Sequence, residues 1–311
     1  METVLITGGT GLVGNALSAA LQAKGYRVII LSRSLTGKPA GERLQYALWD
    51  VKKQEIDMAA VQAADHIVHL AGAGVVAQKW TEAYKKEIVE SRTESSRLIV
   101  SALKADTGGL KNRVKTVVSA SAIGWYGDDE YPAKPFTESD AAAAGFLGET
   151  CKRWEQSIEP VTDLGKRLVI LRTGIVLSNY GGALAEFKKP ARFGAAAILG
   201  NGKQVVSWIH IDDLCSMFIA AIENEKMQGC YNAVAPEPVS NKQLTLTLAK
   251  TMKGNLFIPI HVPAFVLKLI MGQRSMEVLK STTVSCKKIM DTGFLFMYRT
   301  IEQALENLVK K

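Results

Sequence analysis

An amino-terminal strand that runs through a glycine turn into a helix, strand and helix patterns that alternate through the first half, and a glycine-punctuated second half together predict an α/β fold. The expected architecture is a doubly wound parallel sheet of the Rossmann type with a smaller, interwoven C-terminal α+β lobe. Residues 1–176, with a return segment at about 208–235, are expected to form a dinucleotide-binding domain, and 177–311 a substrate lobe.

The first element carries the most information. Val4-Leu5-Ile6-Thr7 reads as a buried strand, and Gly8, Gly11 and Gly14 follow with G-x-x-G-x-x-G spacing. Such a turn lets a pyrophosphate approach the backbone, with free N–H groups and the positive end of a helix dipole facing the anion. Leu12, Val13, Ala16, Leu17, Ala20 and Leu21 form the apolar stripe of the helix that follows, and Gly25 sits where its C-cap belongs. Within the turn, Gly8, Thr10, Gly11, Leu12, Val13 and Gly14 form the expected cofactor cradle. Arg27–Leu31 is the second strand, and it ends in Ser32-Arg33-Ser34 instead of the Asp or Glu that would favour NAD. A guanidinium beside hydroxyl donors suits a 2′-phosphate, so NADP(H) is the expected cofactor. The competing reading of Arg33 is a solvated arginine after a strand.

Further along, Leu44–Trp49 is a third strand, and Asp65–Gly74 is a buried strand running into small residues over which a cofactor can lie. Thr81–Leu103 is a long helix with Tyr84, Ile88, Ser95, Leu98 and Ile99 as its inner stripe. Val114–Ala122 and Lys166–Ile175 read as strands, with a helix at Gly145–Glu159 between them. Gly181, Gly182, Gly194, Gly200 and Gly202 mark an irregular region. The chain returns at Trp208–Leu214, where Asp212 or Asp213 can cap a helix with the stripe Leu214, Met217, Phe218, Ala221 and Ile222. Leu256–Met271 reads as a strand followed by a core or interface helix, and a homodimer is one expectation drawn from it.

Composition narrows the function classes. Hydrophobic content of 47% and charged content of 22% are ordinary for a soluble globular protein. The net charge is +8, but the basic residues are dispersed and lack interleaved aromatics, so no nucleic-acid partner is expected. The four cysteines are widely separated and the four histidines show no ligand spacing, so neither a disulfide framework nor a metal is expected. The start of the chain reads as a strand with no cleavable signal, and no stretch is suited to span a membrane. A cytoplasmic protein acting on a small molecule is the expectation.

With these residues in place, the chain resembles an atypical extended short-chain dehydrogenase/reductase of the nucleotide-sugar epimerase type, in the "epimerase family" group sometimes labelled cell-division inhibitors. The resemblance rests on Ile6-Thr-Gly-Gly-Thr-Gly, Ser32-Arg33, His69 to Gly72, Trp80, Ser91-Arg92, Tyr126-Gly127, Lys152-Arg153-Trp154-Glu155, Leu171-Arg172-Thr173-Gly174, Trp208 to Asp213 and Tyr231-Asn232. It implies NADP(H) contacts from the glycine turn, Ser32, Arg33, Leu70, Ala71, Gly72, Glu87, Arg92 and Val176. Glu87 and Arg92 lie five apart on a helix and so do not share a face; each could also be a solvated charge with a packed stem.

Two departures stand against that pattern. Short-chain dehydrogenases use a Tyr and a Lys four residues later as a proton relay, with a strand-end Ser holding the substrate oxygen. Alignment through Trp154-Glu155 puts Leu147 and Cys151 at the Tyr and Lys positions, and none of the eight tyrosines has Lys at i+4. Ser121 remains at a strand end with Tyr126 nearby, so Ser121, Tyr126 and Cys151 are the catalytic candidates; a buried structural cysteine is the alternative for Cys151. The second departure is Val206, where nucleotide-sugar enzymes place an Arg for the diphosphate. A valine cannot neutralise that group, so a nucleoside-diphosphate sugar is not the expected substrate. His210 reads as structural. The readings left open are an oxidoreductase or isomerase with a non-standard proton donor and a non-catalytic NADP(H)-binding regulator.

Overall fold

A computed structural model describes residues 1–38, 40–105, 112–130 and 134–310. In the first half, β1 (Thr3–Thr7), α1 (Leu12–Ala23), β2 (Arg27–Ser32), β3 (Leu44–Asp50), β4 (Glu55–Ile56), α2 (Met58–Ala63), β5 (His66–His69), α3 (Glu82–Lys104), β6 (Thr116–Ala122), α4 (Phe146–Ile158) and β7 (Arg167–Thr173) follow in order. The second half adds β8 (Ile175–Ser178), β9 (Gly181–Gly182), α5 (Ala183–Arg192), β10 (Ala195–Leu199), β11 (Val205–Val206), β12 (Trp208–His210), α6 (Ile211–Glu223) and β13 (Gly229–Ala233). It closes with β14 (Val239–Ser240), α7 (Asn241–Lys253), β15 (Ile258–Val262), α8 (Ala264–Met271), α9 (Ser275–Leu279), α10 (Lys287–Met290) and α11 (Ile301–Lys310).

The central sheet has the order β13-β7-β6-β5-β1-β2-β3-β4 and is parallel except where β4 turns back on β3. Its inner strands are apolar on both faces, as a sheet covered on both sides requires. Val4, Ile6, Val28, Ile30, Val68, Val118 and Val169 pack under α1 and α6, while Leu5, Ile29, Leu31, Ile67, Val117 and Ile170 pack under α3 and the end of α4. A third core, built from Leu184, Trp208, Leu244, Leu248, Ile301 and Leu305, holds α5, α7 and α11 together in the second half. The sequence order reverses between β1 and β5, which places a crevice at their carboxyl ends, where ligands bind in doubly wound sheets.

Three expectations need correction. The strand expected over Lys166–Ile175 is two strands: at Gly174 the backbone stops following the central sheet, with Gly174 N donating to Ala233 O and Ile175 N donating to Ser207 O, and β8 pairs with β12 in a different sheet. Neither Asp212 nor Asp213 caps α6. His210 does, its ring Nδ1 accepting from Asp212 N at 3.0 Å, while Asp213 turns inward to accept from Met297 N and Tyr298 N. Of the core or interface helix read in Leu256–Met271, the core alternative falls away, because of its residues only Leu267 is buried.

Candidate functional site

The crevice is built from the turn after β1, the end of β2 and the small-residue loop after β5. Gly8 adopts φ +66°, and a Cβ there would lie 2.8 Å from the Leu70 carbonyl; a Cβ on Gly14 would lie 2.4 Å from Gly8 O. Side chains at these positions would therefore break the contact between the turn and the β5 loop and push α1 off its strand. Gly11 is the N-cap of α1, with no side-chain cap and no acidic residue in the first turn. The leading amides of α1 thus have neither a capping side chain nor a first-turn acid, which leaves them available to an anion.

Behind the turn, Thr7 fixes the β5 loop. Its Oγ1 accepts from Leu70 N at 3.1 Å and Ala71 N at 3.2 Å, so its own proton goes to His69 Nδ1 at 2.7 Å. His69 is then the Nε2–H tautomer, donating to Ser96 Oγ at 3.1 Å. Complete burial pushes the His69 pKa down to about 3, so the imidazole is neutral. In the sequence both residues stand out only as markers of resemblance; the further signal was a Thr directly before the glycine turn and a polar residue in an apolar strand. The loop itself is lashed to α3: Ala73 N donates to Ser91 Oγ, Tyr84 Oη to Gly74 O, and Arg92 Nη1 to Ala73 O at 3.0 Å.

Among the expected cofactor residues, Arg92 lies within this assembly. Its guanidinium is 4.9 Å from the Trp154 ring centroid and adjoins Gly72, where a Cβ would come 3.0 Å from Arg92 Cζ. Burial holds its pKa below the usual range, and no carboxylate pairs with it among the described residues. Glu87, by contrast, is exposed on another face of α3. Val176 is half-buried in β8, and Leu12 rests against Gly182 of β9. At the end of β2, Ser32 is buried and donates to Ser34 O, whereas Arg33 is exposed. Lys38 Nζ donates to Ser32 Oγ, which puts a second cation at the strand end. Lys38 was missed because it sits in a polar loop with no motif around it.

Two of the catalytic candidates, Ser121 and Tyr126, meet in one buried network at the ends of β6 and β7, where Ser121 and Arg172 are register partners. Ser121 Oγ donates to Glu155 Oε1 at 2.6 Å, and Arg172 makes a two-pronged pair with the same carboxylate, both bonds 2.9 Å. Arg172 also donates to Tyr126 Oη at 3.1 Å and stacks on Trp125, its Cζ 3.6 Å from the ring centroid. Tyr126 passes its proton to Asn232 Oδ1 at 2.7 Å. Burial opposes the Arg172 charge, but Glu155 more than compensates and holds the guanidinium above its usual range. Tyr126 is fully buried, and that burial pushes its pKa up to about 12 despite Arg172. Cys151 is buried as well, its thiol pushed up to about 11 by burial and then by Glu155. Leu147 and Cys151 both press on Gly124 just past β6, so the face that would carry a Tyr–Lys relay is apolar. Glu155 and Arg172 entered the sequence reading only as markers of resemblance. Val206 is in β11, paired with Val239 of β14.

The second half of the chain closes over this region. Asp129, in the loop after β6, accepts from Thr283 N and Ser281 Oγ, both at 2.7 Å, and Arg274 Nη1 donates to Val76 O at 2.7 Å. Among the described residues no three His, Cys, Asp or Glu side chains are grouped to hold a metal, and no helix is long and apolar enough to cross a membrane.

Comparison with known proteins agrees with this geometry. Residues 4–151 match the NAD dependent epimerase/dehydratase family, and residues 262–308 match a domain of unknown function, DUF1731. An epimerase family protein of Staphylococcus aureus strain MRSA252 is 34% identical over 313 residues, spanning 100% of both chains. One from Mycobacterium leprae strain TN is 30% identical, covering 97% of this chain and 94% of its own. The crystal structure of human epimerase family protein SDR39U1 (isoform 2) with NADPH superimposes with a TM-score of 0.86 at 27% identity, covering 99% of each chain. The chain therefore belongs to the epimerase family proteins, with an NAD-dependent epimerase/dehydratase domain in its first half. A nucleoside-diphosphate sugar epimerase from Corynebacterium glutamicum is 31% identical with a TM-score of 0.76, covering 99% of this chain and 58% of its own.

Proposed function

We propose that this chain is an NADP(H)-dependent oxidoreductase or isomerase for a hydroxyl-bearing small molecule other than a nucleoside-diphosphate sugar. The observation that carries the reading is the crevice at the β1–β5 switch, with three separate positive features. These are the uncapped amino end of α1, the Arg92 guanidinium, which no acid pairs among the described residues, and Arg33 with Lys38 near the end of β2. Charge of this kind at the turn and at the end of β2 suits a pyrophosphate and a second, 2′-linked phosphate, and the related human structure contains NADPH. Gly8, Gly11 and Gly14 would admit the pyrophosphate, Leu70, Ala71 and Gly72 would underlie the cofactor, and Arg33 with Lys38 would take the extra phosphate. When bound, the nicotinamide supplies or accepts a hydride.

Ser121 holds the substrate oxygen. Because its proton is committed to Glu155, Ser121 Oγ offers lone pairs and accepts from a substrate hydroxyl. Glu155 is a positioning residue in this arrangement, itself fixed by Arg172. The Tyr126 hydroxyl is committed to Asn232 and the Cys151 thiol is a weak acid, pushed up to about 11, so the substrate proton exchanges with water. The absence of a diphosphate-binding cation at Val206 supports a substrate without that group.

One observation favours a second reading, a non-catalytic NADP(H)-binding regulator: Ser121 is buried along with Tyr126 and Cys151, and the helix face against Gly124 carries Leu147 and Cys151. Offering the NADPH-loaded protein a panel of aldehydes, ketones and quinones, and its NADP⁺-loaded form the matching alcohols, separates the two. Oxidoreductase action predicts a change in reduced-nicotinamide absorbance that Ser121→Ala abolishes. No change across the panel rules out the oxidoreductase and favours the regulator, with an isomerase, which returns its hydride, separated from it by product analysis; turnover of UDP-glucose or UDP-galactose overturns the substrate assignment.

A further inference from the structure

We propose that the face formed by β15 and α8 docks on an anionic lipid surface. Helix α8 presents the reverse of a solvated face. Phe265 is 71% exposed, Leu269 84% and Ile270 65%, with Lys268 among them, while Leu267 alone turns inward. The apolar surface continues along the preceding segment through exposed Leu256, Ile258 and Ile260. It also reaches Phe193, since Ile258 N bonds to Gly194 O next to it.

Charge selects the occupant. From Pro238 to Met276 the sequence contains no Asp or Glu but carries Lys242, Lys250, Lys253, Lys268 and Arg274. The four lysines are exposed, and among the described residues none lies within ion-pair distance of a carboxylate. Lys253 stands beside Leu256 and Lys268 stands between Phe265 and Leu269, so cations flank the apolar side chains. Exposed apolar side chains with flanking cations and no acids match an anionic headgroup layer over acyl chains. A nucleic acid would leave Phe265, Leu269 and Ile270 in water.

Edge pairing with a second copy fits less well. Ile258 N and Val262 O both bond toward β10, so by strand alternation Pro259 and His261 face the free edge. Pro259 has no N–H to offer there, which blunts the edge. Arg274 ties the segment just after α8 to Val76 in the loop after β5, which links the docking face to a loop of the candidate site.

Co-sedimentation of the full chain with vesicles of phosphatidylglycerol and phosphatidylcholine, against pure phosphatidylcholine, tests the proposal. The expected result is binding to the anionic vesicles that weakens as salt rises. Phe265→Glu/Leu269→Glu and Lys253→Glu/Lys268→Glu should each weaken it about ten-fold or more. NADPH affinity should be unchanged in both variants, which separates this outcome from failure of the cofactor reading or of folding. Equal binding by the variants, or no binding to anionic vesicles, overturns it. So does a dimer in gel filtration that Leu269→Glu turns into a monomer, which would assign the face to a second copy.

Discussion

At the scale of single residues, the Thr7 hydroxyl shows how the crevice is held open for a ligand. One oxygen takes two backbone protons from the β5 loop and gives its own to His69, so the loop position depends on a neutral imidazole. The consequence is a pH dependence with a definite sign. In the unfolded chain His69 takes a proton near its ordinary value of 6.5, but in the folded chain only at about 3. Stability contributed by the neutral ring is therefore fully present above pH 6.5 and is lost as pH falls from there toward 3. The total at the acid end is about 5 kcal/mol, an upper figure for a site that can relax. Urea unfolding across this range should show a steeper acid loss for the native chain than for His69→Asn; parallel profiles would remove His69 from the role. At the end of β2, Arg33→Asp and Lys38→Glu should each weaken NADPH by about ten- to a hundred-fold and NADH much less, as expected for charge-assisted bonds to one phosphate. Calorimetric titration of both nucleotides reads the difference directly.

At the scale of elements, α4 is bolted to β6 and β7 through Glu155. Replacing it with Gln leaves the Arg172 guanidinium buried with its charge unmatched, and stability should fall by about 3–5 kcal/mol, measured by urea unfolding. Changing Glu155 and Arg172 together to Leu and Met should cost less than Glu155→Gln alone; a greater cost would mean that packing, and not the stranded charge, sets the penalty. A second element-level link is Asp213 on α6, whose carboxylate receives two backbone N–H groups at Met297 and Tyr298 and so ties the carboxyl-terminal segment to the sheet. Burial raises its pKa, the backbone bonds opposing. Asp213→Ala should cost about 1–3 kcal/mol for the two stranded donors, and Asp212→Ala far less. Equal losses would return the capping role to Asp212.

At the scale of the whole molecule, the parallel sheet and its glycine turn were legible because both follow from local rules. Strands buried on both faces read as apolar runs, and Gly8 and Gly14 sit where a Cβ cannot fit. The third glycine of that kind, Gly9, was not singled out because its need comes from Ile30 on the neighbouring strand, 2.7 Å from a Cβ there. The same limit explains the rest. His210 outcompetes two aspartates for the α6 cap because Asp213 is drawn away by residues 84 and 85 positions along the chain. The closure of Tyr126 depends on Asn232, 106 positions away, and on Arg172, 46 away. Lys38 joins Ser32 only once the loop folds back. The acid-free stretch from Pro238 to Met276 was readable, but not that its apolar side chains face outward. The account rests on recognition of a 2′-phosphorylated dinucleotide by the amino-terminal turn together with Arg33 and Lys38 at the end of β2. Isothermal calorimetry of the apoprotein tests it most directly: saturable NADPH binding, at least about ten-fold tighter than NADH, is predicted. Absence of heat with either nucleotide, or equal affinity for the two, would contradict it.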